Sequence, residues 1–335
     1  MKLGIIGAGR IGRVHAESVT FHIPDAEVAA VADPFITEES KKFFNNLGVK
    51  EVFKDYKDIL AKKEIDAVLI CSSTDTHAKI TIEAAKAGKD IFCEKPIDLD
   101  IGRIKETLKA VKEAGVKFQI GFNRRFDRNF SALKKSVVDG KVGDVHIVKI
   151  TSRDPAPPPV AYIKVSGGLF CDMMIHDFDL AGYLSGSEVV EVFASGAVLV
   201  DPAIGKAGDI DTAIVTLKFA NGAIGVIDNS RQAVYGYDQR AEVFGSKGCA
   251  AVENEKPSTN KISNKDAVCE EKPLYFFLER YMQAYAAEVG EFVSAIKNGK
   301  DVPVGGDAGL ASVVIAKAAM KSLKENRPVK ISEME

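Results

Sequence analysis

Short, nearly continuous apolar runs alternate with amphipathic segments through residues 1–121. The apolar runs are Leu3–Ile6, Val28–Ala32, Ala67–Cys71, Asp90–Cys93 and Lys117–Gly121, with a shorter one at Val52-Phe53. Helical spacing covers Ile11–Val19, Glu38–Leu47, Lys57–Ala61, Ala78–Ala87 and Ile101–Ala114. Strands apolar on both faces and separated by helices predict a doubly wound parallel sheet, with its ligand crevice at the carboxyl ends of the strands.

After Gly121 the pattern changes. One helix is predicted from about Phe130 to Asp139, ending at Gly140, and a strand Val145–Ile150 leads into the proline-rich stretch Pro155–Pro159. Evenly alternating segments follow at Val189–Val198, Ala213–Phe219, Ala223–Asn229, Arg240–Phe244 and Ala250–Glu253. Asn221-Gly222 supplies a hairpin turn between two of them. Helical spacing returns over Leu278–Lys297 and Gly309–Glu325. The expected fold is α/β: a parallel N-terminal sheet over 1–121, then an α+β domain over 122–335 with a large, mostly antiparallel open sheet. The C-terminal helices are placed to pack back toward the first domain.

The turn after the first strand carries specific chemistry. Gly7-Ala8-Gly9-Arg10-Ile11-Gly12 is a G-x-G-x-x-G motif between strand and helix, and Asp33 closes the second strand, 21 positions past Gly12. The glycines permit a tight turn, close approach of a pyrophosphate and helix–strand packing, while the acid binds an adenosine ribose. A carboxylate accepts the 2′-hydroxyl of NAD and repels the 2′-phosphate of NADP, and Pro34-Phe35-Ile36-Thr37 brings no arginine to offset this. NAD is the expected cofactor.

Composition narrows the classes. The 335 residues, 46% hydrophobic and 27% charged, suffice for two cores. A net charge of −2 from 45 basic and 47 acidic residues gives no global field for nucleic acid or an anionic membrane. No segment approaches the ~18 apolar residues of a membrane span, and the first apolar run is a short strand rather than a signal peptide. The five cysteines (Cys71, Cys93, Cys171, Cys249, Cys269) form no C-x-x-C pair. Disulfides and structural zinc are therefore not expected; apolar neighbours suggest buried thiols and a cytoplasmic protein.

Three further groups carry candidate chemistry. Glu94-Lys95-Pro96 follows the fifth strand, so Lys95 extends a cation over the crevice, its direction restrained by the following proline. In Cys171-Asp172-Met173-Met174-Ile175-His176-Asp177-Phe178-Asp179, Asp172 and His176 share a face if the segment is helical. Such a pair makes a titrating imidazole with an orienting carboxylate, or else a cap and a satisfied buried histidine. Metal binding by Asp172, His176, Asp177 and Asp179 is the rival use, disfavoured because His15, His22, His77 and His146 lie elsewhere; no metal is expected. Gly121-Phe122-Asn123-Arg124-Arg125-Phe126 ends the sixth strand, where its polar groups reach cofactor or substrate oxygens, or form plain salt bridges. Asp154 and Tyr235 are polar loop candidates for the same pocket. The loop Ser72-Ser73-Thr74-Asp75-Thr76-His77 is expected against the nicotinamide half, although Thr76 equally suits a helix cap. His15 reads as a helix residue near the glycine turn.

On Gly7–Gly12, Glu94-Lys95-Pro96, Gly121–Arg125, Gly167-Gly168 and Asp172-x-x-x-His176, the chain resembles the glucose-fructose oxidoreductase/inositol dehydrogenase/rhizopine catabolism (Gfo/Idh/MocA) family. Within it the chain looks most like the inositol 2-dehydrogenases, through Arg124-Arg125-Phe126, Arg153-Asp154-Pro155, Met174-Ile175-His176-Asp177 and Tyr235-Gly236-Tyr237-Asp238. The resemblance implies a Rossmann domain, a second domain whose open sheet builds oligomers, often tetramers, and a reaction carried by Lys95, Asp172 and His176. The expected activity is NAD-dependent oxidation of a cyclic polyol, myo-inositol to 2-keto-myo-inositol foremost. His176 acts as general base, and Lys95 stabilises the developing alkoxide. Expected cofactor contacts are Gly7, Gly9, Arg10, Ile11, Gly12, Asp33, Ser72, Ser73, Thr74, His77, Glu94, Lys95 and Asn123. Expected substrate contacts are Lys95, Arg125, Asp154, Asp172, His176 and Tyr235. A sugar dehydrogenase and a non-catalytic NAD-binding regulator are the competing readings. The proline-rich Pro155–Pro159 departs from the family pattern and leaves ring size and hydroxyl stereochemistry open.

Overall fold

The computed structural model describes residues 1–334, which divide into two compact units. The first comprises Met1–Phe126 and Met282–Val313; the second comprises Asp127–Tyr281 and the chain from Val314 onward.

In the first unit, β1 (Lys2–Ile6), β2 (Glu27–Ala32), β3 (Glu51–Phe53), β4 (Ala67–Ile70), β5 (Asp90–Glu94) and β6 (Phe118–Gly121) form a parallel sheet of order β3-β2-β1-β4-β5-β6. That order reverses between β1 and β4, which opens a crevice beyond their carboxyl ends. The strands are apolar throughout because both faces are covered: Ala67–Ile70 is wholly buried. Leu3, Ile5, Val31, Leu69 and Phe92 pack in one core with Val289, Phe292 and Val293. The last three lie on the helix Met282–Lys297, so this segment completes the first unit rather than the second.

In the second unit, β7 (Val145–Arg153), β8 (Val189–Ala197), β9 (Thr212–Phe219), β10 (Ile224–Ser230), β11 (Asp238–Gly245), β12 (Gly248–Val252) and β15 (Val329–Lys330) make a sheet of order β12-β11-β7-β10-β9-β8-β15. The short strands β13 (Lys261–Ser263) and β14 (Val268–Glu270) form a separate hairpin. Helices Arg128–Val138 and Ile175–Ser185 pack against the large sheet. The strict alternation of β9, in which Ala213, Val215, Leu217 and Phe219 are buried and Ile214, Thr216 and Lys218 exposed, marks a sheet with one open face. Asn221-Gly222 turns β9 into β10 as the sequence predicts, with Gly222 at φ +88.

The large sheet is mostly antiparallel, as expected, and β7 with β10 is its one parallel pair. Hydrophobic alternation sets which face a residue occupies and carries no information on strand direction. Two expectations need revision. The helix predicted from Leu278 is interrupted at Tyr281, between Phe277–Arg280 and Met282–Lys297. Cys71, Cys93 and Cys171 are buried, but Cys249 and Cys269 are exposed, on β12 and on the β13–β14 hairpin. Among the described residues no helix is long and apolar enough to cross a membrane.

Candidate active site

The glycine turn in the first unit is built for close approach. Gly7 sits at φ +107, and a Cβ there would lie 2.6 Å from the Cys71 carbonyl; a Cβ on Gly12 would lie 2.0 Å from Gly7 O. Gly9 is the opposite case, with nothing within 4 Å of its Cβ position. It caps the helix Arg10–His22 without any side-chain hydrogen bond, and Gly9 and Arg10 are exposed. The first N–H groups of that helix therefore face open space with the positive end of the helix dipole, which suits a pyrophosphate. Asp33 is aimed by the backbone: Oδ2 accepts from Ala8 N at 2.8 Å and Oδ1 from Phe35 N at 2.8 Å. Each oxygen keeps a lone pair for a ribose hydroxyl. These residues fit a dinucleotide with a free 2′-hydroxyl.

At the next strand end, Ser72 Oγ and Thr76 Oγ1 are 2.7 Å apart, and Thr76 Oγ1 donates to Ser73 O. Thr76 thus bonds back within the first turn of the helix Thr74–Lys86, whose cap residue is Ser73. His77 is buried, with Nδ1 2.8 Å from Pro96 O and Nε2 3.0 Å from Ser72 O. Its ring braces the β4 and β5 loops against each other instead of presenting a nitrogen to a ligand. The Lys95–Pro96 peptide is cis, and Lys95 is partly exposed at the end of β5. Asn123 is buried in the short helical turn Asn123–Phe126, and Arg125 is half-buried.

Glu94, expected among the cofactor contacts, instead turns its carboxylate inward. Its Oε1 lies 2.7 Å from His15 Nε2, and the His15 ring sits edge-on to Phe92 and Tyr285. Glu288, fully buried, completes a group whose donor atoms lie within 4.8 Å of one another. This group is close enough to share a cation, and it is not the Asp172–His176 set that the sequence pattern raises. Neither carboxyl oxygen of Glu288 has a hydrogen-bond partner. Burial, and then the Glu94 carboxylate, push the Glu288 pKa well above the ordinary range, so the group is held as a neutral acid. An acid with a raised folded-state pKa stabilises the fold most below its unfolded pKa of about 4.3 and loses that contribution as pH rises. Glu288→Gln is therefore expected to gain stability relative to wild type toward alkaline pH, by up to about 1.4 kcal/mol per pH unit. Denaturation at pH 5.5 and 8.5 checks this; an unchanged difference between the two proteins would remove the neutral-acid assignment.

In the second unit the Asp172–His176 segment is not a uniform helix. Leu169–Met173 forms a π-helical turn, closed by Met174 N donating to Leu169 O at 2.9 Å, before the α-helix Ile175–Ser185 begins. Such turns occur often at functional sites. Asp209 holds its start, accepting from Leu169 N at 3.1 and 3.0 Å. Asp172 and His176 are both half-buried.

Asp172 Oδ1 accepts from Tyr162 Oη at 2.9 Å, and Oδ2 accepts from Arg231 Nη2 at 3.0 Å. Arg231 Nη1 also reaches Asp154 Oδ2 at 3.3 Å. Burial opposes the Arg231 charge, but the carboxylates of Asp172 and Asp154 outweigh it and raise its pKa. Asp154 and Asp172 thus meet through Arg231. Tyr235 belongs to an adjoining network, donating to Asp238 Oδ2 at 2.6 Å and accepting from Arg153 Nη1 at 3.1 Å. Burial and the Asp238 carboxylate raise its pKa, so the hydroxyl stays protonated. Tyr235 also lines a cleft of about 740 Å³ with Arg128, Asp238 and Arg240, to which Asp172 and His176 do not contribute.

Sequence reasoning missed Arg231, Tyr162 and Glu288. Arg231 stands just past an alternating strand, and only the parallel pairing of β7 with β10 reveals its neighbour. Glu288 is a polar break in the apolar face of a helix, which is the one sequence signal it offered.

The comparisons with known proteins agree with this architecture. A family model described as "Oxidoreductase family, NAD-binding Rossmann fold" matches residues 1–122, and one for the GFO/IDH/MocA C-terminal domain matches residues 130–251. The chain is 49% identical to a myo-inositol 2-dehydrogenase of Thermotoga maritima, covering 100% of this chain and 99% of that one. It is 48% identical to an inositol 2-dehydrogenase of Rhizobium meliloti, over 99% of each chain. Among solved structures, scyllo-inositol dehydrogenase of Lactobacillus casei with bound NAD(H) and scyllo-inositol superposes with a TM-score of 0.91 at 32% identity, over 99% of both chains.

Proposed function

The chain belongs to the GFO/IDH/MocA family of NAD-dependent oxidoreductases acting on CH–OH groups, and from that premise we propose that it oxidises myo-inositol to 2-keto-myo-inositol. The observation that carries the substrate reading is the pair of carboxylates, Asp154 and Asp172, fixed on one buried guanidinium one turn from His176. That arrangement offers hydrogen-bond acceptors to a ligand rich in hydroxyls, and it accords with the inositol dehydrogenases at 48–49% identity.

Bound NAD supplies the hydride acceptor. Gly7, Gly9, Arg10, Ile11 and Gly12 hold its pyrophosphate, and Asp33 its adenosine ribose. Ser72, Ser73, Thr74 and Asn123 face the nicotinamide half, while His77 and Glu94 support it by placing the loops. His176 takes the proton of the hydroxyl being oxidised. Lys95 stabilises the negative charge that develops on the same oxygen. Asp172 orients His176 and accepts a neighbouring hydroxyl, and Arg125, Asp154 and Tyr235 bind the rest of the ring.

The first unit is the NAD-binding part and the second serves substrate and association. Phe244, Ile147 and Ile224 are exposed and sit in one cross-strand row over three neighbouring strands. A row of this kind suits burial against another copy, and we assign the enzyme as a cytoplasmic homotetramer built on that face.

Turnover followed by nicotinamide absorbance, with a panel of inositols and aldoses and with NAD and NADP side by side, tests the assignment. Myo-inositol with NAD is expected to lead the panel, and the 2-deoxy analogue, which has no hydroxyl at the carbon to be oxidised, to be inert. An aldose leading the panel would move the enzyme to sugar oxidation, and no turnover at all would leave a regulator.

A further inference from the structure

Resting on the oxyanion role given above to Lys95, we infer that His15 is a positioning residue for the reaction. Through the Glu94 carboxylate it fixes the point at which Lys95 leaves β5, so the helix that receives the pyrophosphate also braces the lysine.

The link runs through side chains in the core of the first unit. His15 lies on the helix Arg10–His22, in the second turn from the N–H groups offered to the pyrophosphate. Its side chain is 0% exposed, and its ring stands edge-on to Phe92 at 5.1 Å and to Tyr285 at 5.7 Å. Nδ1 has no hydrogen-bond partner, so the ring acts through Nε2, which donates to Glu94 Oε1 at 2.7 Å. Glu94 is the last residue of β5 and is paired there with Gly121 of β6. Gly121 makes room for the carboxylate, since a Cβ at that position would stand 3.1 Å from Glu94 Oε2. One oxygen is thus bound, and the other is seated against a residue with no side chain. Successive side chains of an extended chain leave on opposite sides. Glu94 drawn to His15 therefore commits Lys95, the next residue, to the other side, where it is partly exposed.

The titratable groups that face this pair from neighbouring elements add no charge. Glu288 comes from the helix Met282–Lys297, which Gln119 of β6 holds at that point by donating from Nε2 to Glu288 O at 2.8 Å. Burial, and then the Glu94 carboxylate, keep Glu288 protonated. Cys71, just past β4, and Cys93, on β5, stay thiols, with burial the main cause for both. An ionised acid or a thiolate in this space would repel Glu94 from His15. As neutral groups they leave the bond intact. A buried pair of this kind is weak evidence for stability; what it supplies is direction.

A double-mutant cycle between His15→Leu and Lys95→Met tests this, read as the single-turnover rate with myo-inositol, with saturation by NAD checked by calorimetry. His15→Leu alone should slow the step about tenfold or more, since a shift of ~1 Å in a reacting group can cost about 100-fold. His15→Gln keeps a donor for Glu94 and should recover most of the rate. In the Lys95→Met background, His15→Leu should cost less than about twofold, because the group it positions is gone. A plain loss of packing would slow both backgrounds by the same factor. That result overturns the inference, as does an unchanged rate in His15→Leu alone or a His15→Gln no faster than His15→Leu. Should His15→Leu not fold, Glu94→Gln, which weakens the same bond from its other end, takes its place in the cycle: a loss confined to the Lys95 background supports, equal losses or none overturn. Lys95→Met alone reads the parent role. An unchanged rate there defeats the oxyanion assignment and the inference with it, whereas a lowered rate with equal losses defeats the inference only.

Discussion

Replacing His176 by alanine is expected to lower kcat/KM for myo-inositol by about 10³-fold, within the range of about 10²–10⁴ that a positioned general base supplies. The loss corresponds to roughly 4 kcal/mol of transition-state stabilisation. Two features should accompany it. The fall of kcat/KM toward acid pH disappears, because the group whose protonation stops the reaction is gone. NAD affinity stays within about twofold, because the glycine turn and Asp33 form within the first unit from Gly7, Gly12, Ala8 and Phe35 alone. Steady-state rates across pH, with calorimetric NAD binding, read both. The abruptness of the expected effect reflects where His176 sits: the π-helical turn Leu169–Met173 and the helix Ile175–Ser185 meet directly before it, and Asp209 pins the start of that turn. Asp172, one turn before it, is held by Arg231 and Tyr162.

Lys95→Met is the second large effect. Methionine keeps the length of the side chain and removes its charge, so the change isolates electrostatics. Loss of a charge-stabilising donor aimed at a developing oxyanion costs about 10²–10³-fold in kcat. Because the charge exists only as the reaction proceeds, kcat should carry most of the loss and KM little of it. Single-turnover rates at saturating NAD and myo-inositol make the measurement. A KM effect with unchanged kcat would instead make Lys95 a ground-state contact. The position of Lys95 is over-determined: Glu94 before it is paired with His15, Pro96 after it is buried, and the Pro96 carbonyl is tied to His77.

Much of the first unit is legible in the amino-acid sequence alone. Parallel strands buried on both faces leave continuous apolar runs, and Gly7 and Gly12 owe their residue type to backbone that a Cβ would meet at 2.0–2.6 Å. The second unit is legible as faces but not as pairings. β7 and β10 alternate like their antiparallel neighbours, and nothing in that alternation marks them as parallel. The arginine they bring to Asp154 is therefore invisible in the sequence, although Asp154 and Asp172 both stand out as candidates. Long-range packing accounts for the other differences. The helix Met282–Lys297 is apolar enough for any core, and only the contacts of Val289, Phe292 and Val293 assign it to the first. Glu94 and His77 stand at strand ends, where ligand contact is the natural expectation. Their partners, His15 and two backbone carbonyls, are set by the fold.

The central claim is that one substrate oxygen is served by two groups far apart in sequence, Lys95 and His176. A crystal structure of the enzyme with NADH and myo-inositol tests it most directly. The account predicts a single ring hydroxyl within about 3.2 Å of both the His176 imidazole and Lys95 Nζ, the reach that proton transfer requires. A ring bound with either group out of reach of the hydroxyl beside the nicotinamide would contradict it.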